Sequence, residues 1–165
     1  MNPAVPGAVA PDFDLRLLDG NYRELRDVVQ PGGGVLVFFK TECETSALLL
    51  ERIGPLAQAM EREEREFLAV AQNPPEEVRS YAESRRLAFP IAWEGPPYPA
   101  SSAYGIVTVP TLIVVDGAGR IAERLEGFVK SELLSLGPAV EQALALGDVP
   151  GVLDRPDELP ELRPG

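Results

Sequence analysis

Cys43 is the only cysteine in a chain of 165 residues. It stands in the stretch Lys40-Thr41-Glu42-Cys43-Glu44-Thr45-Ser46, directly after the apolar run 35–39 and at the head of a helical pattern. A thiol in that place is a potential nucleophile, because the first turn of a helix presents unpaired N–H groups and a positive dipole end that favour the thiolate. Glu42 and Glu44 on either side disfavour negative charge on the sulfur, whereas Lys40 favours it. Ser46 lies three positions on, where a second cysteine would be chemically useful. Cys43 therefore has two readings, a redox thiol without its partner or a small residue inside a helix start. The second has its own support, since Thr41-x-x-Glu44 fits a capping box in which each side chain satisfies the other residue's backbone N–H.

The residue inventory removes many other chemistries. With one cysteine there is no intrachain disulfide, and with no histidine the usual zinc sites and the Ser–His–Asp and Cys–His pairs have no members. No metal or other cofactor is expected. Any nucleophile must be activated by backbone dipoles, carboxylates, lysine or arginine.

Strands and helices that would position Cys43 are legible in the periodicity. FDLRLLDGNYREL alternates around Asp19-Gly20 and predicts a hairpin, followed by a helical turn at LRDVV and a breaker at PGGG, 31–34. VLVFFK, 35–40, reads as a strand buried on both faces. Residues 43–63 read as one helix with an apolar stripe of Leu49, Ile53, Leu56 and Met60, kinked at Gly54-Pro55. FLAVAQ, 67–72, is the next strand. Asn73 as N-cap, Pro74 at the first helical position and Glu76 predict a helix to about Leu87. FPIAW, 89–93, is a third strand, and a helical turn is expected around 101–104. TLIVVD and RIAERLEGF flank Gly117-Ala118-Gly119 as a second hairpin. Ser131 would cap a last helix reaching Leu146, bent at Gly137-Pro138. Tyr98, Tyr104 and Trp93 read as core or rim packing. There are no internal repeats.

Length and composition fit one ordinary domain. Residues 1–10 read as an extended lead-in, 11–146 as the domain, and 147–165 as a Pro- and acid-rich tail lying along the domain or mobile. The net charge of −11 gives no cationic surplus for nucleic acid or anionic membranes. No apolar run is long enough to span a bilayer, and the first residues lack the pattern of a signal peptide. A cytoplasmic location is the expectation. The sequence implies no particular oligomeric state.

The element order, β-hairpin, β-α-β-α-β, β-hairpin and helix, implies an α/β fold with a central mixed sheet flanked by helices. With Cys43 at a strand-to-helix junction and Thr108-Val109-Pro110-Thr111 downstream, it resembles the thioredoxin fold. More closely it is similar to the redoxins of the TlpA type and the alkyl hydroperoxide reductase/thiol-specific antioxidant group. The stretches that carry the resemblance, within 10–146, are APDFDLRLLDG, VLVFFKTECETS, YGIVTVPTLIVVDGAGRI and the Gly127-Phe128 pair.

The resemblance implies that Cys43 is the attacking thiol, Ser46 replaces the resolving cysteine, and Pro110 is a cis-proline beside the sulfur. Thr41, Glu42, Glu44, Thr45, Thr108 and Val109 would line the substrate groove. Ser46 also fits two further roles, a hydroxyl serving the backbone donors of the first turn or a change made to trap intermediates. The chain departs from the family at Val37, where thioredoxins proper often carry a buried acid, and at Glu42 and Glu44. Three functions follow. The first is a monothiol redoxin exchanging with protein or low-molecular-weight thiols and disulfides. The second is a one-cysteine peroxidase, with Thr41, Thr45, Ser46 and Lys40 as its polar pocket. The third is a redox-inactive binding module using the Pro110 groove.

Overall fold

Strand β3, Gly33–Phe39, is buried at every position, and its side chains divide between two cores. Val35, Val37 and Phe39 face one, and Leu36 and Phe38 the other, as the two-residue period of a central strand requires. Its neighbours β4, Glu66–Ala71, and β6, Thr111–Asp116, split their side chains in the same way. The computed structural model describes residues 4–165.

The remaining strands complete a seven-stranded mixed sheet. They are β1, Asp14–Leu17, β2, Tyr22–Glu24, β5, Ile91–Trp93, and β7, Ile121–Glu126, in the order β2-β1-β5-β4-β3-β6-β7. β3, β4 and β5 run parallel, while β6 and β1 join them antiparallel. One face carries α2, Glu44–Arg52, α3, Gly54–Arg62, α4, Pro75–Arg85, and α7, Leu136–Leu144. The other packs on α1, Leu25–Val29, and α5, Pro99–Ala103, with Phe13 and Tyr104. The mixed sheet covered by helices on both faces is the architecture expected. Burial of Tyr104, whose hydroxyl donates to the Pro11 carbonyl at 2.7 Å, pushes its phenol well above the ordinary value.

Several boundaries differ from the sequence expectation. The glycine run does not end before the strand, because Gly33 and Gly34 are its first two residues. A Cβ on Gly34 would collide with the Glu66 carbonyl, so only glycine lets β3 enter between β4 and β6 there. The helix expected over 43–63 is two helices, with Ile53 ending α2 and capping α3; Pro55 sits in the first turn of α3, where its missing N–H is tolerated. In α4 the N-cap is Pro74, not Asn73, whose side chain is engaged elsewhere. The last helical stretch is likewise divided, into α6, Lys130–Leu134, and α7, with Val129 rather than Ser131 at the first N-cap. Gly137-Pro138 starts α7 instead of breaking it.

Residues 147–165 pack on the domain. Val149, Val152, Leu153 and Leu159 are buried in the core beneath α2 and α7. The Asp154 N–H donates to the Arg52 carbonyl at 2.8 Å. Beyond them, β9, Leu162–Arg163, pairs antiparallel with β8, Phe128–Val129.

Candidate functional site

Parallel strands β3 and β4 end side by side, and the chain leaving β3 must turn across the sheet's carboxyl edge before α2 begins. Cys43 is the residue at which that turn becomes helix. It is the N-cap of α2, with φ −92° and ψ 117°, and its Sγ accepts the Ser46 N–H at 3.4 Å. The sulfur thus takes one of the orphan donors of the first turn, a role that a serine or aspartate oxygen usually fills. The capping box expected between Thr41 and Glu44 does not form, because the helix starts two residues later than that box requires.

Thr41 and Glu42 are drawn instead towards α4. The Asn73 side chain accepts the Thr41 N–H at 3.0 Å and donates to Glu42 Oε2 at 2.9 Å. The Thr41 hydroxyl lies 3.1 Å from Glu77 Oε1 and 3.2 Å from Glu42 Oε2. The bond from Asn73 is the main reason the Glu42 carboxyl is held below the ordinary value; Thr41 and Lys40 add to it, against the effect of burial. Asn73 therefore fixes the loop that delivers Cys43, a role not assigned to it from the sequence. Its place after β4, beside the loop after β3, was the available signal.

Across the sulfur lies the chain entering β6. The Val109-Pro110 peptide is cis, and the Cys43 S–H donates to the Val109 carbonyl at 3.4 Å. This loop is fixed at both ends. The Thr111 hydroxyl donates to the Thr108 carbonyl at 2.6 Å, and the Gly127 N–H donates to the Pro110 carbonyl at 2.8 Å. Upstream, the Arg124 guanidinium donates to the carbonyls of Tyr104 at 2.7 Å and Gly105 at 3.0 Å. Cys43 remains partly exposed. Ser46, one turn behind it, is fully buried, and its Oγ has no hydrogen-bond partner among the described residues.

Thr45 and Glu44 face the other way, towards residues 163–165. The Thr45 hydroxyl donates to the Pro164 carbonyl at 2.7 Å. Glu44 Oε2 pairs with the Arg163 guanidinium at 2.9 Å. Gly165 lies against Thr108 and Val109. The structure thus gathers Cys43, Ser46, Thr108, Val109 and Pro110, and sends Thr41 and Glu42 to one side and Glu44 and Thr45 to the other. The contribution of 163–165 was missed, since nothing in that segment's composition says where it lies. Among the described residues no cluster of Cys, Asp and Glu could hold a metal ion. A cavity of about 570 Å³ opens elsewhere, bordered by Leu50, Arg65, Phe67, Arg85 and Phe89, and includes none of the residues gathered at Cys43.

A mixed sheet with a cysteine capping the helix after its central strand, opposite a proline-containing loop, defines a redoxin of the thioredoxin fold. The family model described as AhpC/TSA matches residues 6–124, and the chain belongs to that family. It is 30% identical over 128 residues to the thiol-disulfide oxidoreductase ResA of Geobacillus thermodenitrificans, covering 76% of this chain and 72% of the relative. A similar solved structure is that of a Chlorobium tepidum protein assigned as thiol:disulfide interchange protein DsbE. The two align with a TM-score of 0.74 and 20% identity over 84% of this chain and 97% of that one. Peroxidoxin BcpB of Mycobacterium tuberculosis aligns with a TM-score of 0.65 and 18% identity over 86% of this chain and 94% of the other.

Proposed function

We propose that this protein is a monothiol redoxin that exchanges thiols and disulfides through Cys43. The observation that carries the reading is the placement of a partly exposed Sγ against the Ser46 N–H and the Val109 carbonyl, both at 3.4 Å. The sulfur holds the cap position of α2, where it takes an otherwise unpaired N–H of the first turn. Kinship with ResA supports the same chemistry.

In the reaction, the Cys43 thiolate attacks one sulfur of a disulfide. A Cys43–S–S–R bond forms as the R–S–S–R′ bond breaks, and R′S⁻ leaves to take a proton from solvent. Ser46 cannot attack that mixed disulfide. A second, external thiol must do so, regenerating the Cys43 thiolate and leaving with R in a new disulfide. Pro110 and the backbone of Thr108 and Val109 supply the edge against which an extended substrate chain aligns. The substrates are protein or low-molecular-weight disulfides, and no bound cofactor takes part.

The test is single-turnover reaction with oxidised glutathione, read by intact mass. The wild type is expected to take up one glutathione on Cys43, released by added thiol, and Cys43→Ala to take up none. Insulin reduction by the wild type without an external thiol is expected to be negligible. Failure of Cys43 to form the mixed disulfide would refute the proposal and favour a redox-inactive binding role for the same groove.

A further inference from the structure

Four of the residues expected to line the substrate groove are already in contact with this chain's own segment 163–165. Glu44 holds Arg163 by an ion pair at 2.9 Å, and Thr45 donates to the Pro164 carbonyl at 2.7 Å. A Cβ on Gly165 would collide with the Val109 carbonyl and with Thr108. The Val109 oxygen is also the one that accepts the Cys43 S–H. The segment arrives as an extended strand, with Arg163 opposite Phe128 and Leu162 opposite Val129. The Lys130 N–H donates to the Glu161 carbonyl at 2.9 Å. Gly127, at φ +71°, lets it come close, since a Cβ there would lie 3.2 Å from the Arg163 carbonyl.

We propose that residues 161–165 form an internal plug that occupies the groove meant for an extended polypeptide, so that Cys43 exchanges with peptide disulfides only when the plug lifts. The inference rests on the reading of Cys43 and the Val109-Pro110 loop as the exchange site. The plug is built to be reversible. Leu162 and Arg163 are exposed, whereas the side chains that anchor the preceding stretch, Val149, Val152, Leu153 and Leu159, are buried, so the strand can leave without disturbing the core. Its ion pair with Glu44 is exposed and weak. Because Cys43 stays partly exposed with the plug in place, small reagents reach the sulfur and extended chains do not. Glycine at 165 fits the close approach to Val109, and the acidic residue at 44 matches the arginine at 163.

The experiment compares the full-length wild type with the full-length double variant Arg163→Pro/Gly165→Val. The first change deletes the ion pair and a backbone donor of β9, and the second adds a side chain where a Cβ already collides. Hydrogen exchange at Lys130, whose N–H the plug occupies, reports release. The probe is an extended decapeptide with one cysteine carried as its mixed disulfide with thionitrobenzoate. Cys43 attacks the peptide sulfur, the peptide–Cys43 disulfide forms, and the yellow thionitrobenzoate anion leaves. A site open in about a tenth of molecules reacts about tenfold more slowly than one always open, so the variant is expected to be about tenfold faster with the peptide and within about twofold with iodoacetamide.

Equal peptide rates in the two proteins, with Lys130 exchange accelerated in the variant, would overturn the plug. So would unchanged Lys130 exchange, because the contacts described would then not be what holds the strand. If iodoacetamide alkylates Cys43 in neither protein, the thiol reading fails and the plug is judged separately. In that case the affinity of the same decapeptide with serine for cysteine is measured by fluorescence anisotropy on both proteins. Tighter binding to the variant supports the plug, and equal binding overturns it.

Discussion

Placing a cysteine at position 46 tests both the energetics and the chemistry of the site. The Ser46 hydroxyl is fully buried and makes no hydrogen bond among the described residues, and such an orphan costs about 1–3 kcal/mol. Ser46→Ala removes it and leaves only a void of one small atom. A gain of about 1 kcal/mol is expected, raising the melting temperature by about 2–4 °C for a domain of this size. Ser46→Cys also removes the orphan, but the larger sulfur must fit a fully buried site, and overpacking can offset the gain by about 1 kcal/mol or more.

Its distinguishing effect is chemical. A disulfide needs Cβ atoms about 3.5–4.5 Å apart, closer than the roughly 5–6 Å of residues three apart inside a helix. Cys43, however, is the extended N-cap, and its sulfur already turns onto the first turn. Ser46 N already lies 3.4 Å from Cys43 Sγ. The variant is expected to oxidise to an intramolecular disulfide in a glutathione buffer, seen by intact mass. It is also expected to reduce insulin catalytically with dithiothreitol, well above the wild type and Ser46→Ala. A variant that stays a dithiol under oxidising conditions, with insulin reduction at the wild-type level, would refute the assignment of position 46 as the resolving position. A loss of stability in Ser46→Ala would refute the account of the orphan hydroxyl.

Further outcomes follow from the surrounding structure. Leu159→Ala should cost about 2–3 kcal/mol in denaturant unfolding, the lower part of the range for buried leucine because the residue lies at the edge of the core; no change would mean that the 147–165 segment does not hold the fold. Asn73→Ala should weaken the protein at neutral pH by releasing Thr41 and Glu42. Since Glu42 is held below its usual 4.5 when folded, its share of stability is present above that value and lost as pH falls through the folded value. The gap between wild type and Asn73→Ala should therefore narrow in acid without closing, because the Thr41 bond persists. Tyr81, whose phenol is pushed up to about 12 mainly by burial, should show delayed phenolate absorbance. Stability tied to that proton should be intact below about 10 and lost as pH rises to about 12.

The sheet was legible because its strands carry their own pattern. β3, β4 and β6 are short continuous runs rich in β-formers, the pattern of a doubly buried strand, and the stretches between them hold glycine, asparagine or aspartate. The place of Cys43 at a strand-to-helix junction followed from the same order, whereas the expectation for Pro110 came from the resemblance to the redoxins. Helix ends were less legible, since several residues could each serve as cap. Thr41, Cys43 and Asn73 all have capping side chains, and tertiary contact decided among them. Asn73 was taken by the loop after β3, which left Pro74 to start α4 and the Cys43 sulfur to start α2. The partners of Glu44 and Thr45 were not legible at all. They lie 119 residues away along the chain in both cases, and no local periodicity encodes a contact of that separation.

On the proposed reading, serine at 46 and the 161–165 segment over the groove have a shared physical consequence. In a dithiol redoxin an unwanted mixed disulfide is short-lived, because a neighbouring thiol at very high effective concentration releases it. With serine at 46 that escape is absent, and a mixed disulfide at Cys43 persists until an external thiol arrives. An open groove would then let any extended, oxidised chain occupy the protein for a long time. Covering it with 161–165 raises the threshold for peptide disulfides by the fraction of time the groove is closed, while leaving small thiols free to resolve what does form. The two features should therefore be coupled. Releasing the plug should raise the fraction of protein trapped with peptide in the wild-type Ser46 background and have little effect in Ser46→Cys, where trapped peptide is expelled from within. A plug-release variant that accumulates peptide adducts equally in both backgrounds would break that connection.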